Sequence, residues 1–154
     1  MTELTPEAHE MLRTAGWHPG RRVEIGDVVA HLESLGVRVH TAARDFLAEF
    51  GDLHLIHEPS AEIKGRLVTS FTDTDNARHI TEHEHPFRSY VAEATGSAVC
   101  PVAGTSFHVS VYVTEDGRFY GIRDGAVYLF GDDTASFFNQ VVTGRKPPLF
   151  AGFE

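Results

Sequence analysis

Hydrophobic positions change their spacing along the chain. Up to about residue 50 they recur at helical intervals. Thr5-Pro6-Glu7 reads as a helix start: Thr5 is the cap, Pro6 suits the first turn and Glu7 complements the dipole. Met11, Leu12 and Ala15 give that helix its apolar side, and Gly16 ends it. Trp17-His18-Pro19-Gly20 is a turn carrying one large ring, which either anchors the first helix on the core or serves as a binding hot spot. A second helix is predicted from about Asp27 to Leu35, with Val28, Leu32 and Leu35 on one face. Val37-Arg38-Val39 is short and extended. A third helix starts at Thr41, taken as its cap, with Ala43, Phe46, Leu47 and Phe50 on one stripe and Gly51 as its stop.

Alternation then takes over. Leu53-His54-Leu55 and Leu67-Val68-Thr69-Ser70-Phe71 read as strands separated by a Glu58-Pro59-Ser60 loop, and Asp73-Thr74-Asp75-Asn76 as a polar turn. A helix is expected from about Phe87 to Ala94, with Phe87, Tyr90, Val91 and Ala94 facing inward and Gly96 stopping it. Phe107, Val109, Val111 and Val113 alternate with His108, Ser110, Tyr112 and Thr114, which predicts a half-buried strand. Asp116-Gly117 and Asp124-Gly125 are tight-turn signals, so the run to Phe130 is an antiparallel meander of three strands. A last helix begins near Asp132 or Asp133, carries Phe137, Phe138, Val141 and Val142, and ends at Gly144. Residues 145–154, with Pro147, Pro148 and Gly152, read as a C-terminal tail whose Leu149, Phe150 and Phe153 could dock on the body.

These elements sum to an α+β fold, an antiparallel sheet covered by helices in a single domain. The predicted core is Trp17, Leu32, Phe46, Leu47, Phe50, Val109, Val111, Leu129, Phe137 and Val141. The length of 154 residues suits one domain with a real core.

Charge narrows the partners. With 13 basic and 22 acidic residues the formal charge is −9, which repels nucleic-acid phosphates and acidic membrane surfaces. The same field would steer in a basic protein partner, though acidity also serves solubility alone. The start of the chain is polar and acidic where a signal peptide would be basic, and no apolar run approaches the ~20 residues of a membrane span. A soluble, cytoplasmic protein is expected. The single cysteine, Cys100, lies in the apolar run Ala98–Val102 and is expected to be a buried, inert thiol.

Candidate chemistry is sparse. In His79-Ile80-Thr81-Glu82-His83-Glu84-His85, His79 and His83 would share a helix face at i, i+4, a zinc-ligand spacing that His85 and a carboxylate could complete. The run lacks the HExxH order, no cysteine pair supports it and Pro86 limits any helix. A solvated polar connector without bound metal is therefore expected, and a small metal-dependent enzyme is the alternative. His54 and His57 would point to opposite faces of a strand. Ser70, Ser97, Ser106 and Ser110 lack a G-x-S-x-G context, and Gly104-Thr105-Ser106 is too short for a phosphate loop. Paired acids such as Asp73 with Asp75 and Asp132 with Asp133 read as caps and loops.

The order of pieces resembles the third subgroup of the SUKH superfamily of bacterial immunity proteins, which has the Smi/Knr-like fold. The stretches that carry the resemblance are Leu12 to Arg21 (LRTAGWHPGR), Thr41 to Gly51 (TAARDFLAEFG), Cys100 to Ala103 (CPVA), Asp116 to Gly121 (DGRFYG) and Leu129-Phe130-Gly131. Each is short; their order and spacing are the specific feature. The resemblance implies an immunity domain over residues 1–144, a role in polymorphic toxin systems, and binding of a cognate toxin domain without catalysis or a cofactor. The superfamily also resembles eukaryotic cell-wall regulators that act as partner-binding hubs, so a non-catalytic scaffold with another partner is the alternative. Between Phe71 and Tyr90 the chain departs from the family pattern. The acids of that stretch, Asp73, Asp75, Glu82 and Glu84, are the candidate partner-binding residues.

Overall fold

A computed structural model describes residues 2–57, 62–63, 66–67, 70–106 and 108–152, the pairs 62–63 and 66–67 by their backbone. Three helices come first: α1 (Pro6–Thr14), α2 (Gly26–Ser34) and α3 (Thr41–Phe50). Thr5 caps α1 as expected, its hydroxyl accepting the Ala8 N–H at 3.2 Å. The cap of α3 is His40, not Thr41. Its Nδ1 accepts the Ala43 N–H at 3.2 Å while Nε2 donates to the Val113 carbonyl at 3.0 Å. One neutral tautomer satisfies both bonds, so this buried imidazole ties the start of α3 to the sheet.

Strands follow: β1 (His54–His57), β2 (Glu62–Ile63), β3 (Arg66–Leu67), β4 (Ser70–Asp73), β5 (Val99–Thr105), β6 (Val109–Thr114), β7 (Phe119–Arg123), β8 (Ala126–Gly131) and β9 (Leu149–Ala151). Helix α4 (His85–Thr95) precedes β5, and α5 (Thr134–Val142) lies between β8 and β9. Seven strands form one antiparallel sheet in the order β1-β4-β5-β6-β7-β8-β9, and β2 pairs with β3 alone. The chain is therefore an α+β domain, and the predicted meander is β6-β7-β8. Its second turn joins Arg123 to Ala126 through Asp124 and Gly125, both at positive φ, as a two-residue hairpin turn requires. Of the expected Leu67–Phe71 strand, Leu67 belongs to β3 and Ser70 and Phe71 to β4, and Val68 and Thr69 lie outside the described residues. Phe107, Phe153 and the Glu58-Pro59-Ser60 loop lie outside the described residues.

The main core lies between one sheet face and α1, α2, α3 and α5. Leu12, Leu32, Phe46, Leu47, Phe50, Val111, Val113, Phe119, Phe137, Phe138 and Val141 are buried there. Phe46 sits among the rings of Phe50, Phe119, Phe137 and Phe138, with centroids 5.3–6.1 Å away. Trp17 anchors the end of α1: it is buried, stacks on Phe50 and donates its indole N–H to Glu49 at 3.1 Å.

The other face also packs, which corrects the reading of β6 as half-buried. Helix α4 covers it, and Val91, Val99, Tyr112, Tyr120, Ile122 and Val127 form a second cluster. Tyr112, expected on the polar side, is fully enclosed, whereas Val109 and Leu129 of the predicted core are only half-buried. The inner face of α4 also differs. Val91 is buried, but Phe87 and Tyr90 are 56% and 42% exposed. After Gly144 the chain returns as β9 on β8, with Phe150 edge-on to Tyr120.

Candidate functional site

The acids between Phe71 and Tyr90 begin at the edge of the sheet. Residue Thr74 is buried; its hydroxyl donates to the Phe50 carbonyl and accepts the Leu53 N–H at 2.8 Å. That pin fixes the end of the β1–β4 pair, so the neighbouring Asp73 and Asp75 carboxylates are held at its rim. Asp73 pairs with Nδ1 of His54, its register partner across the ladder, and Asp75 lies 3.3 Å from Nε2 of His79.

Asp52, in the turn between α3 and β1, adopts a left-handed φ of 62°. Its carboxylate grips Arg78 at both oxygens, from Nε at 2.7 Å and Nη2 at 3.0 Å. The bond to Asp52 raises the guanidinium pKa most, with further contributions from the Asp27 and Asp75 charges. One arginine thus sits within the field of Asp27, Asp52 and Asp75, and the surroundings stay acidic. Asp27, Asp52 and Arg78 were missed in the sequence because they lie on three separate elements that meet only in the fold.

The other two candidate acids are elsewhere. Glu82 is exposed on a short 3-10 turn, Glu82–Glu84, ahead of α4. Glu84 turns inward: its side chain is 10% exposed, accepts the Tyr112 hydroxyl at 2.7 Å and lies 3.6 Å from Nε of Arg88. Its role is to seat α4 on the second cluster, and the carboxylate does not reach the rim formed by Asp73 and Asp75.

The histidine run is not one helix. Two 3-10 turns, Asn76–Arg78 and Glu82–Glu84, are separated by His79 to Thr81, so the i, i+4 relation of His79 and His83 does not form. His83 and His85 are exposed, and among the described residues no three such side chains are grouped as metal ligands would be. His54 and His57 do take opposite faces; His57 Nε2 is 2.9 Å from the hydroxyl of buried Thr72. Cys100 is enclosed, and burial first, then the Glu84 charge, pushes its thiol up to about 12.

Two apolar side chains at the same edge were also missed. Ile56 and Phe71 are register partners on the outer face, 61% and 38% exposed, while the polar Ser70 and Thr72 point into the core. This inverts the usual order of a half-buried strand. The only signal in the sequence was that Ile56 falls out of phase with Leu53 and Leu55; the phase of Phe71 is set by the register with β1. No helix among the described residues is long and apolar enough to cross a membrane.

Comparison with curated proteins and with solved structures returned no match. The family model described as SUKH-3 immunity protein matches residues 4–144, nearly the whole chain, and includes every helix and all strands but β9. An acidic chain with both sheet faces packed, carrying this match across its core, belongs to the SUKH-3 immunity protein family.

Proposed function

We propose that the chain is a cytoplasmic immunity protein of a bacterial polymorphic toxin system, which neutralises a cognate toxin domain by binding it rather than by catalysis. The observation that carries this reading is the family match over 4–144. The acidic rim around Asp73 and Asp75 gives it a surface. A chain of charge −9 draws a basic surface of a toxin, such as a substrate groove, and long-range charge acts mainly on the association rate. Asp73, Asp75 and Glu82 are the steering acids of this proposal. Glu84, though in the same stretch, acts by holding α4.

The test uses the toxin domain encoded beside this chain. The Asp73→Asn, Asp75→Asn, Glu82→Gln variant is expected to fold, to associate several-fold more slowly at low salt, and to show a shallower salt dependence. Glu84→Gln, measured separately, should lower stability and leave the association rate unchanged. Failure of the wild-type chain to bind or inhibit that toxin would leave the scaffold reading in its place.

A further inference from the structure

Strand β1 closes one side of the seven-stranded sheet, and among the described residues no strand lies beyond it. The phase of its ladder follows from its neighbour. Phe71 accepts the Ser106 N–H at 2.9 Å and donates its own N–H to the Ser106 hydroxyl at 2.7 Å, so both its backbone groups point toward β5. Ser70 and Thr72 therefore turn theirs to β1, where Leu55 and His57 stand opposite. By alternation, His54 and Ile56 aim their N–H and C=O groups at the open edge.

Side chains make that edge adhesive. Ile56 and Phe71 lie side by side on the outer face, and the His54 ring is 5.4 Å from that of Phe71. Sheet edges are commonly guarded by lysine, proline or a bulge. His54-Leu55-Ile56-His57 has neither residue, and its register with β4 runs unbroken. The opposite edge, β9, is three residues long and its pairing with β8 is interrupted by a register shift. Charge selects the occupant. Asp52, Asp73 and Asp75 ring one end of β1, and a second copy of the chain would bring another −9 to the contact.

We propose that β1 is completed by an extended, basic segment of a partner protein. The segment adds an eighth strand through the free groups of His54 and Ile56, sets an apolar side chain on Ile56 and Phe71, and places a lysine or arginine against Asp73 and Asp75. Strand addition obtains affinity from main-chain bonds and specificity from alternate side chains. Under the immunity reading, on which the identity of the partner rests, this segment belongs to the toxin.

The experiment has two arms. In the first, the toxin domain encoded beside this chain is titrated with the full wild-type chain and with Ile56→Pro, Ile56→Lys and Phe71→Thr. Proline removes only an outward N–H, and the lysine and threonine variants keep the backbone intact should proline unfold the edge. Each is expected to weaken the complex at least tenfold, while Phe150→Ser on the far edge leaves it within twofold. Equal affinity for all of them overturns the proposal. In the second arm a synthetic peptide of alternating valine and lysine is added to the wild-type chain, with a valine–glutamate peptide as control. Slowed amide exchange at His54 and Ile56 with the lysine peptide alone is the expected result. Absence of protection in this arm overturns the proposal if the toxin fails to bind at all, a failure that by itself counts against the immunity reading. Self-association of the wild-type chain that Ile56→Lys abolishes would assign the edge to a second copy and also overturn it.

Discussion

Phe46 touches four other aromatic rings and is 3% exposed, so its truncation leaves a void that no single neighbour can fill. Phe46→Ala should cost about 3–5 kcal/mol, read from the midpoint of chemical denaturation at unchanged slope. Gly121 is fixed by a different constraint. A Cβ there would lie 2.4 Å from the Phe130 ring and 2.9 Å from Val109, so the strand passes beneath Phe130 only because the side chain is absent. Cys100 supplies a chemical test of the same packing. Its thiol is held protonated by burial up to about 12, so a disulfide reagent at about pH 8 should leave the native chain unlabelled and label it after unfolding. Rapid labelling of the folded chain would mean that β5 opens readily.

Among the elements, α5 shows how a cap is tied to pH. Asp133 accepts the Ser136 N–H at 2.8 Å and the Thr2 N–H at 3.3 Å. Desolvation pushes its carboxyl up, but the bonds from Ser136 and Thr2 outweigh it and hold the pKa below the ordinary carboxylate value. A lowered folded-state pKa gives stability that is present above the unfolded value and lost as pH falls through the folded one. Asp133→Ala should therefore cost about 0.5–2 kcal/mol at neutral pH, with the difference from wild type shrinking below about pH 4. Asp133→Asn keeps the cap bond, and denaturation over a pH series should show most of the stability retained without that pH dependence. Helix α4 is held differently. Val91 is its one fully buried apolar anchor, and the Glu84–Tyr112 bond with half-buried Arg88 fixes its entry onto the sheet.

For the whole molecule, the sheet extends past the family match. Residues 4–144 carry the match, yet β9 pairs with β8 and Phe150 covers Tyr120. We expect a chain ending at Gly144 to fold as the immunity domain and to melt lower, by roughly 2–4 °C for each kcal/mol lost with β9. Calorimetry of the two lengths measures this, and an unchanged melting temperature would show the tail to be energetically idle. The acidic field acts at the same scale. Under the proposed function it would favour a basic partner whichever edge is met, while Ile56 on β1 and Phe71 on β4 mark the proposed contact.

What the sequence by itself determined was local. The caps at Thr5 and Asp133, the turn at Asp124-Gly125, the helical stripe through Phe46 and Phe50 and the alternation of β6 were legible because each depends on residues a few positions apart. The family landmarks were legible for the same reason, being short runs of turn glycines and core aromatics. Tertiary structure decided what depends on distant chain. The arrival of α4 on the second sheet face buried Tyr112 and drew Glu84 inward. His40, reaching Val113 across 73 residues, displaced Thr41 as the cap of α3. The pairing of β4 between β1 and β5 put Ser70 and Thr72 inside and left Phe71 out, against their hydrophobicities. Asp27, Asp52 and Arg78 met Asp75 for the same reason: side-chain direction and charge proximity follow from which strands and helices become neighbours, and alternation along one segment carries no record of that.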